Sequence, residues 1–395
     1  MKQSLSCLCA LSLIAACGAN SPSSDAHGTS GGSSGSAGTH AGAGTGGAGA
    51  GGAGTSAGAG GVANGGSSTA GTGGNSSAGT AGTGGAGGTG GAMATGFKCP
   101  ASTFEPPAVT GKTATRIAGA PPADDFNKNN YGNVEGPVWI GDSLYFSEMK
   151  GGDIPAARIL KLTGGVVSVA VPDSGSNGLA VDASGNLFAA VHKDGSISQV
   201  ALPGGVETPI VSMYMGTRFT SPNDLAIRSD GTIYFSDPSY QNSANPQGAQ
   251  RLYRVTPAPA RTVSVVMDAP NPPNGVTLSP DEQTLYVSGG GLKKFAVMAD
   301  GTLGAGSDFV PGSGGDGMVV DCGGNLYVAG SGPGIRVYQP SGTLIDTIAV
   351  DSNGATPTNV AFGGADHKTL YVTAMGNDGQ RGVFSVALNV PGFPY

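Results

Sequence analysis

One short pattern recurs six times in this chain, and it limits the fold more than any other feature. A tight polar turn is followed by an apolar, aromatic-containing strand. It reads Gly141-Asp142-Ser143-Leu144-Tyr145-Phe146, then Ser184-Gly185-Asn186-Leu187-Phe188-Ala189 and Asp230-Gly231-Thr232-Ile233-Tyr234-Phe235. It continues as Glu282-Gln283-Thr284-Leu285-Tyr286-Val287, Gly323-Gly324-Asn325-Leu326-Tyr327-Val328 and His367-Lys368-Thr369-Leu370-Tyr371-Val372. The aliphatic marker falls at 144, 187, 233, 285, 326 and 370, a spacing of 41 to 52 residues. A period in the forties, with turn-and-strand signals and no helical periodicity, is the mark of propeller blades.

A second strand precedes most markers, as in Gly178-Leu179-Ala180-Val181-Asp182 and Gly317-Met318-Val319-Val320-Asp321. The two read as a hairpin joined by a Gly, Asp, Ser or Asn turn. A third strand follows, such as Arg251-Leu252-Tyr253-Arg254-Val255. The expected fold is therefore all-β, a six-bladed β-propeller over residues 99–395. A β-sandwich with accidental periodicity is the weaker alternative. The ring must close, and Ala114-Thr115-Arg116-Ile117 is expected to give a strand to the blade that the C-terminus finishes, which removes an exposed sheet edge.

Composition matters mainly ahead of this domain. Residues 26–97 hold no Asp, Glu, Lys or Arg and are almost entirely Gly, Ala, Ser and Thr. Such a stretch cannot bury enough apolar surface to offset its ordering entropy, so 18–98 is expected to be a disordered, flexible linker. Residues 1–17 read as a targeting signal: Lys2, a short apolar run from Leu5 to Ala16, then Leu13-Ile14-Ala15-Ala16-Cys17-Gly18. That ending resembles the bacterial lipobox, with Cys17 as the lipidated residue, and an ordinary secretory signal is the competing reading. The implied location is the cell envelope, with membrane contact only through the lipid. The net charge of −7 and the lack of a basic cluster argue against a nucleic-acid partner. Cys99 and Cys322 remain in the exported domain, either bridged or as two free thiols.

The residues that open each blade are unusually polar: Glu135-Gly136-Pro137, Ser176-Asn177-Gly178, Ser221-Pro222-Asn223-Asp224, Pro273-Asn274-Gly275 and Gly315-Asp316-Gly317. Each lies 9 to 11 residues before its marker. Equivalent positions on successive blades converge at one end of the ring, which would gather Glu135, Asn177, Asn223, Asn274 and Asp316. Two carboxylates with carboxamide oxygens suit a hard divalent cation, Ca²⁺ first, with Zn²⁺, Mn²⁺ or Mg²⁺ as alternatives. Any one Asn-Gly or Asp-Gly is by itself more often a turn than a ligand. Recurrence at one blade position, with Glu in the first blade, is what favours a site.

These segments resemble the senescence-marker-protein, gluconolactonase and regucalcin family, its bacterial gluconolactonases in particular. The resemblance covers about Val134 to Val386 and rests on Glu135-Gly-Pro-Val-Trp139, Arg218-Phe-Thr-Ser-Pro-Asn-Asp224, Ser229-Asp-Gly-Thr-Ile-Tyr-Phe-Ser-Asp-Pro238, Pro273-Asn274-Gly275, Gly315-Asp316-Gly317-Met318 and Pro357-Thr-Asn-Val-Ala-Phe-Gly-Gly364. It implies a metal-dependent lactonase, a monomer acting on a small lactone. It implies that Glu135, Asn223, Asn274 and Asp316 hold the metal, with Asp316 as base for the attacking water. His192, Arg218 and Asn177 are candidate substrate contacts. Asp237 is expected to bond a loop backbone, and Trp139 to pack in the core. Two other readings compete: an organophosphate or ester hydrolase with the same centre, and a non-catalytic propeller that binds sugar or protein.

Overall fold

Runs of four to ten residues rich in Val, Ile, Leu, Tyr and Phe, cut by Gly and Asp turns, leave strands as the regular structure this chain can form. The computed structural model describes residues 98–121, 131–150, 156–330, 332–377 and 379–393, in which every regular element is a strand. The expected signal with Cys17, and the linker through Phe97, lie outside the described residues.

After β1 (Thr113–Arg116), the first sheet holds β2 (Tyr131–Ile140), β3 (Ser143–Lys150), β4 (Ala157–Thr163) and β5 (Val166–Val171). The second holds β6 (Ser176–Val181), β7 (Leu187–Val191), β8 (Ser196–Ala201) and β9 (Val206–Val211). A small hairpin follows, β10 (Met213–Tyr214) with β11 (Thr217–Arg218). The third sheet holds β12 (Leu225–Ile227), β13 (Ile233–Asp237), β14 (Gln250–Val255) and β15 (Val263–Ala269). The fourth holds β16 (Pro273–Leu278), β17 (Thr284–Gly289), β18 (Leu292–Ala296) and β19 (Ser307–Val310). These four are antiparallel meanders with strands in chain order, which is the expected blade.

The remainder corrects the expectation of a six-bladed propeller. β20 (Met318–Val320), β21 (Leu326–Val328), β22 (Gly334–Tyr338) and β23 (Leu344–Val350) do not end as a separate blade. Neither do β24 (Thr356–Gly363), β25 (Thr369–Met375) and β26 (Gly382–Ala387). All seven join β1 in one eight-stranded sheet, ordered β20-β21-β22-β23-β1-β26-β25-β24. Its edge strands β20 and β24 touch, so the sheet nearly closes on itself. The physical cause is β1. One edge pairs antiparallel with β26 (Thr115↔Ser385), as expected. The other pairs parallel with β23 (Thr113↔Ala349, Ala114↔Val350), which the sequence did not suggest. A strand has two hydrogen-bonding edges, and here both are used, so the fold is four blades plus one eight-stranded sheet.

The core lies between sheets. Val138, Tyr145 and Ile159 of the first sheet pack on Leu179, Leu187 and Val191 of the second. Phe188 packs with Phe219, ahead of β12, and with Phe235 and Tyr253 of the third. The two halves of the eight-stranded sheet bury Tyr327, Ile335 and Val337 against Phe362, Leu370 and Val372. Each such side chain stabilises the fold by about 1.5–3 kcal/mol through burial. Trp139 stacks on Tyr371 with ring centroids 5.5 Å apart, a packing role as expected. A disulfide joins Cys99 to Cys322 and pins the incoming chain to the turn between β20 and β21. Asp316 precedes β20 and Cys322 follows it, so the bridge and Asp316 lie toward opposite ends of that strand.

Candidate functional site

The first strands of the sheets meet in order: β2 touches β6, β6 touches β12, β12 touches β16, β16 touches β20, β20 touches β24, and β24 returns to β2. Polar bonds stitch this circuit. Ser147 and Ser176 share a hydroxyl bond of 2.7 Å. The Gly178 amide donates to the Asn223 carbonyl (2.7 Å), and the Gly317 amide to the Thr358 carbonyl (2.7 Å). The Ser236 hydroxyl donates to the Asn274 carbonyl (2.6 Å), the Ser288 hydroxyl to the Asp316 carbonyl, and the Thr358 hydroxyl to the Val134 carbonyl. The backbone of each opening residue is therefore fixed by a neighbouring strand, and its side chain has a defined place.

Glycine makes this approach possible. Gly136 has φ of +53°, and a Cβ there would lie 2.5 Å from the Asn177 carbonyl oxygen. A Cβ at Gly317 would overlap the Asn359 carboxamide. The glycines after Glu135, Asn177, Asn274 and Asp316 are thus where the next strand's backbone or side chain comes in.

Glu135, Asn177, Asn223, Asp224 and Asn359 are all buried. Burial raises the Glu135 carboxyl well above its ordinary value, and the charges of Asp316 and then Asp224 raise it further. The Gly136 amide, 3.3 Å from Oε2, and the Asn359 carboxamide oppose the rise. Asp316 is pushed up to about 7, first by burial and then by Asp224, against hydrogen bonds from Asn274 and the Gly317 amide. Asp224 also sits at about 7 through burial, although the amides of Val276 (3.0 Å) and Leu225 (2.9 Å) donate to it. The structure places Glu135, Asp316 and Asn274 in one neighbourhood, together with Asp224 and Asn359.

Other expected site residues fall differently. The backbones of Asn223 and Asn177 are fixed by neighbouring strands: the Asn223 amide donates to the Ser236 carbonyl (2.9 Å), and the Asn177 carbonyl packs on Gly136. Arg218 points its donors at backbone carbonyls, those of Phe219 (3.1 Å), His192 (3.3 Å) and Lys193 (3.4 Å). It braces the 192–195 turn against the 217–220 segment. His192 is buried beneath that brace. Asp237 does bond a loop backbone, accepting the amides of Thr220 (2.9 Å) and Ser221 (2.6 Å).

Three residues around the site had no role assigned from sequence. Asn359 lies 11 residues before Leu370, the same offset as Asn274 before Leu285, so the repeat pattern contained it. Asp224 was visible as the neighbour of Asn223, without a sign of its burial. Tyr240, on the β13–β14 connection, has its phenol pushed up to about 12, first by burial and then by the negative charge of Asp316, with Glu135 adding to it. That loop has no counterpart in the repeats to flag it.

The donor set bears on a metal. Among the described residues, no three His, Cys, Asp or Glu side chains group so as to hold an ion. Any ion here would rest on the carboxylates supplemented by carboxamide oxygens, a combination for hard cations rather than zinc. The groups acting on Glu135 and Asp316 are burial, carboxylates, carboxamides and amides, with no Lys, Arg or His among them. Buried acids without a cationic partner have the chemistry a divalent cation satisfies.

Residues 134–376 match the family model described as the SMP-30/gluconolactonase/LRE-like region. The chain belongs to this family. Among the family's proteins, it is 28% identical over 276 residues to a gluconolactonase of Zymomonas mobilis, covering 62% of this chain and 76% of the relative. A solved gluconolactonase from Xanthomonas campestris is 30% identical, with a TM-score of 0.56, covering 67% of this chain and 87% of that one. A regucalcin from Agrobacterium tumefaciens, described as a calcium-binding protein, shares the fold at 20% identity and a TM-score of 0.55, covering 71% of this chain and 97% of that one.

Proposed function

We propose that this chain is a lactonase that opens the ring of a sugar-acid lactone, with one divalent cation, Ca²⁺ first, held by Glu135, Asn223, Asn274 and Asp316. The observation that carries the reading is the pair of acids, buried Glu135 and half-buried Asp316, set among carboxamides with no cationic side chain of the described residues acting on them. The resemblance to gluconolactonases supports the substrate class.

When bound, the cation supplies polarisation of the lactone carbonyl and charge stabilisation for its oxygen. Asp316 has the chemistry of the base. Burial and the Asp224 charge raise its carboxyl, which makes it a better proton acceptor than an ordinary carboxylate. It accepts a proton as water adds to the carbonyl carbon, and returns it to the ring oxygen as the acyl C–O bond breaks. Glu135 supplies the second negative charge and is oriented by Asn359 and the Gly136 amide. The short, firmly bonded opening strands keep these groups in place, which lowers the cost of reaching the reactive arrangement. We place this domain (99–395) behind a flexible linker (18–98) and a lipidated Cys17, as a monomer at the bacterial cell envelope.

The test is hydrolysis of glucono-1,5-lactone with Ca²⁺, with chelator, and with Asp316→Ala. The reading predicts turnover that chelation abolishes and that Asp316→Ala lowers by at least about 100-fold. Turnover untouched by both would refute it.

A further inference from the structure

We propose that a cleft beside Asn274 is a second substrate subsite, which takes a short aliphatic substituent carried by the lactone. This rests on the lactonase reading above and narrows its substrate class.

The cleft lies where the third and fourth sheets meet, at the end where β15 stops and β16 begins. Met267, Ala269, Pro270, Pro273 and Val287 give it apolar walls. Its inner end is continuous with the candidate site. Pro273 is the residue before Asn274. Ser288, also on the wall, accepts the Gly275 amide (2.8 Å) and donates to the Asp316 carbonyl. Lys293, which brings a charge to the cleft, pairs with Asp308 (2.8 Å). With that charge matched and the walls apolar, the cleft favours an apolar occupant over an anion. It has room of about 50 Å³. On that scale one water needs about 10–15 Å³, so it fits about three to five waters, or a chain of about four carbons.

The rim at the β17–β18 turn reads Gly289-Gly290-Gly291. Two of these glycines have a packing reason. A Cβ at Gly289 would lie 2.1 Å from the Pro272 carbonyl oxygen, and one at Gly290 would lie 2.0 Å from the Asn271 Cβ. Gly291 has no such reason: its backbone is not left-handed, and a Cβ there would meet nothing within 4 Å. It lines the cleft, and its missing side chain leaves the space open.

Glucono-1,5-lactone carries a hydroxymethyl group on the ring carbon beside the ring oxygen, and a δ-alkyl lactone carries an aliphatic tail there. Full burial of one methylene contributes about 0.8 kcal/mol, or about fourfold in kcat/KM. The experiment measures kcat/KM of the full chain with Ca²⁺ for glucono-1,5-lactone and for δ-lactones with methyl, butyl and octyl tails. Gly291→Ala and Gly291→Leu are run on the same series. The expected result is a rise of about tenfold or more from methyl to butyl in the native chain, and no further rise to octyl. Gly291→Ala reduces the rise and Gly291→Leu removes it, while both keep native turnover of glucono-1,5-lactone, which also shows that they fold. A flat series in a native chain that does turn over glucono-1,5-lactone would overturn the proposal and leave the lactonase reading standing. A rise that survives in Gly291→Leu would also overturn it, by placing the tail elsewhere. A native chain that hydrolyses none of these lactones would defeat the lactonase reading, and this inference with it.

Discussion

At the scale of single residues, the proposed site would set protons against a cation. Burial and mutual repulsion raise Glu135 and Asp316, and Asp316 reaches about 7. A raised acid keeps its proton up to that pH, and a cation must displace it. The sign follows: Ca²⁺ affinity is full above about 7 and falls as pH drops through it, by up to about tenfold per unit for each proton displaced. Calorimetric titrations from pH 8 to pH 5 check this, and a flat affinity would contradict it. Much of this was legible in the sequence. Glu135, Asn274 and Asp316 stand 9 to 11 residues ahead of their markers, and period-forty repeats bring such similar offsets together. Asn359 obeys the same rule. Tyr240 and the burial of Asp224 were not legible, because a loop without a repeat counterpart, and the packing of one strand on the next, leave no periodic trace. The three backbone carbonyls that hold Arg218 were not legible either, since a motif records a side chain and not its partners.

At the scale of elements, the turn ahead of β12 depends on one carboxylate at the end of β13. Asp237 accepts the amides of Thr220 and Ser221, both of which are fully buried. Without it those amides have lost their acceptor, at about 1–3 kcal/mol for each group left unsatisfied. Asp237→Ala should lower the urea midpoint accordingly and loosen the segment that carries Asn223. An unchanged midpoint would show that the loop does not need this anchor. The strands themselves were readable from alternating apolar residues and Gly/Asp turns. The hairpin β10–β11 was not, since its two-residue strands are too short for a pattern to show.

At the scale of the molecule, the sequence predicted repetition but not connectivity. Six turn-strand repeats are present, yet β1 pairs on both edges and merges the last two into one sheet. Pairing between segments so distant in sequence has no local signature, and the parallel contact with β23 carries no turn to announce it. A buried ion cluster adds a second tie across this part of the fold. Glu148 of β3 is fully buried and bonds Arg158 of its own sheet (2.7 Å) and Arg381, just before β26 (3.3 Å). Glu148→Gln would leave the buried Arg381 charge without its counterion, a loss of about 3–5 kcal/mol. Guanidinium unfolding measures it, and a loss below about 1 kcal/mol would mean that other contacts hold the first sheet to the eight-stranded one.

We propose that Glu135 of β2 and Asp316, just ahead of β20, make a cation site that drives lactone opening. It is tested most directly by stripping the full chain with chelator and following glucono-1,5-lactone hydrolysis as Ca²⁺ is returned. The account predicts a rate that starts near zero and saturates at one ion per chain. A stripped chain that hydrolyses the lactone at its full rate would contradict it.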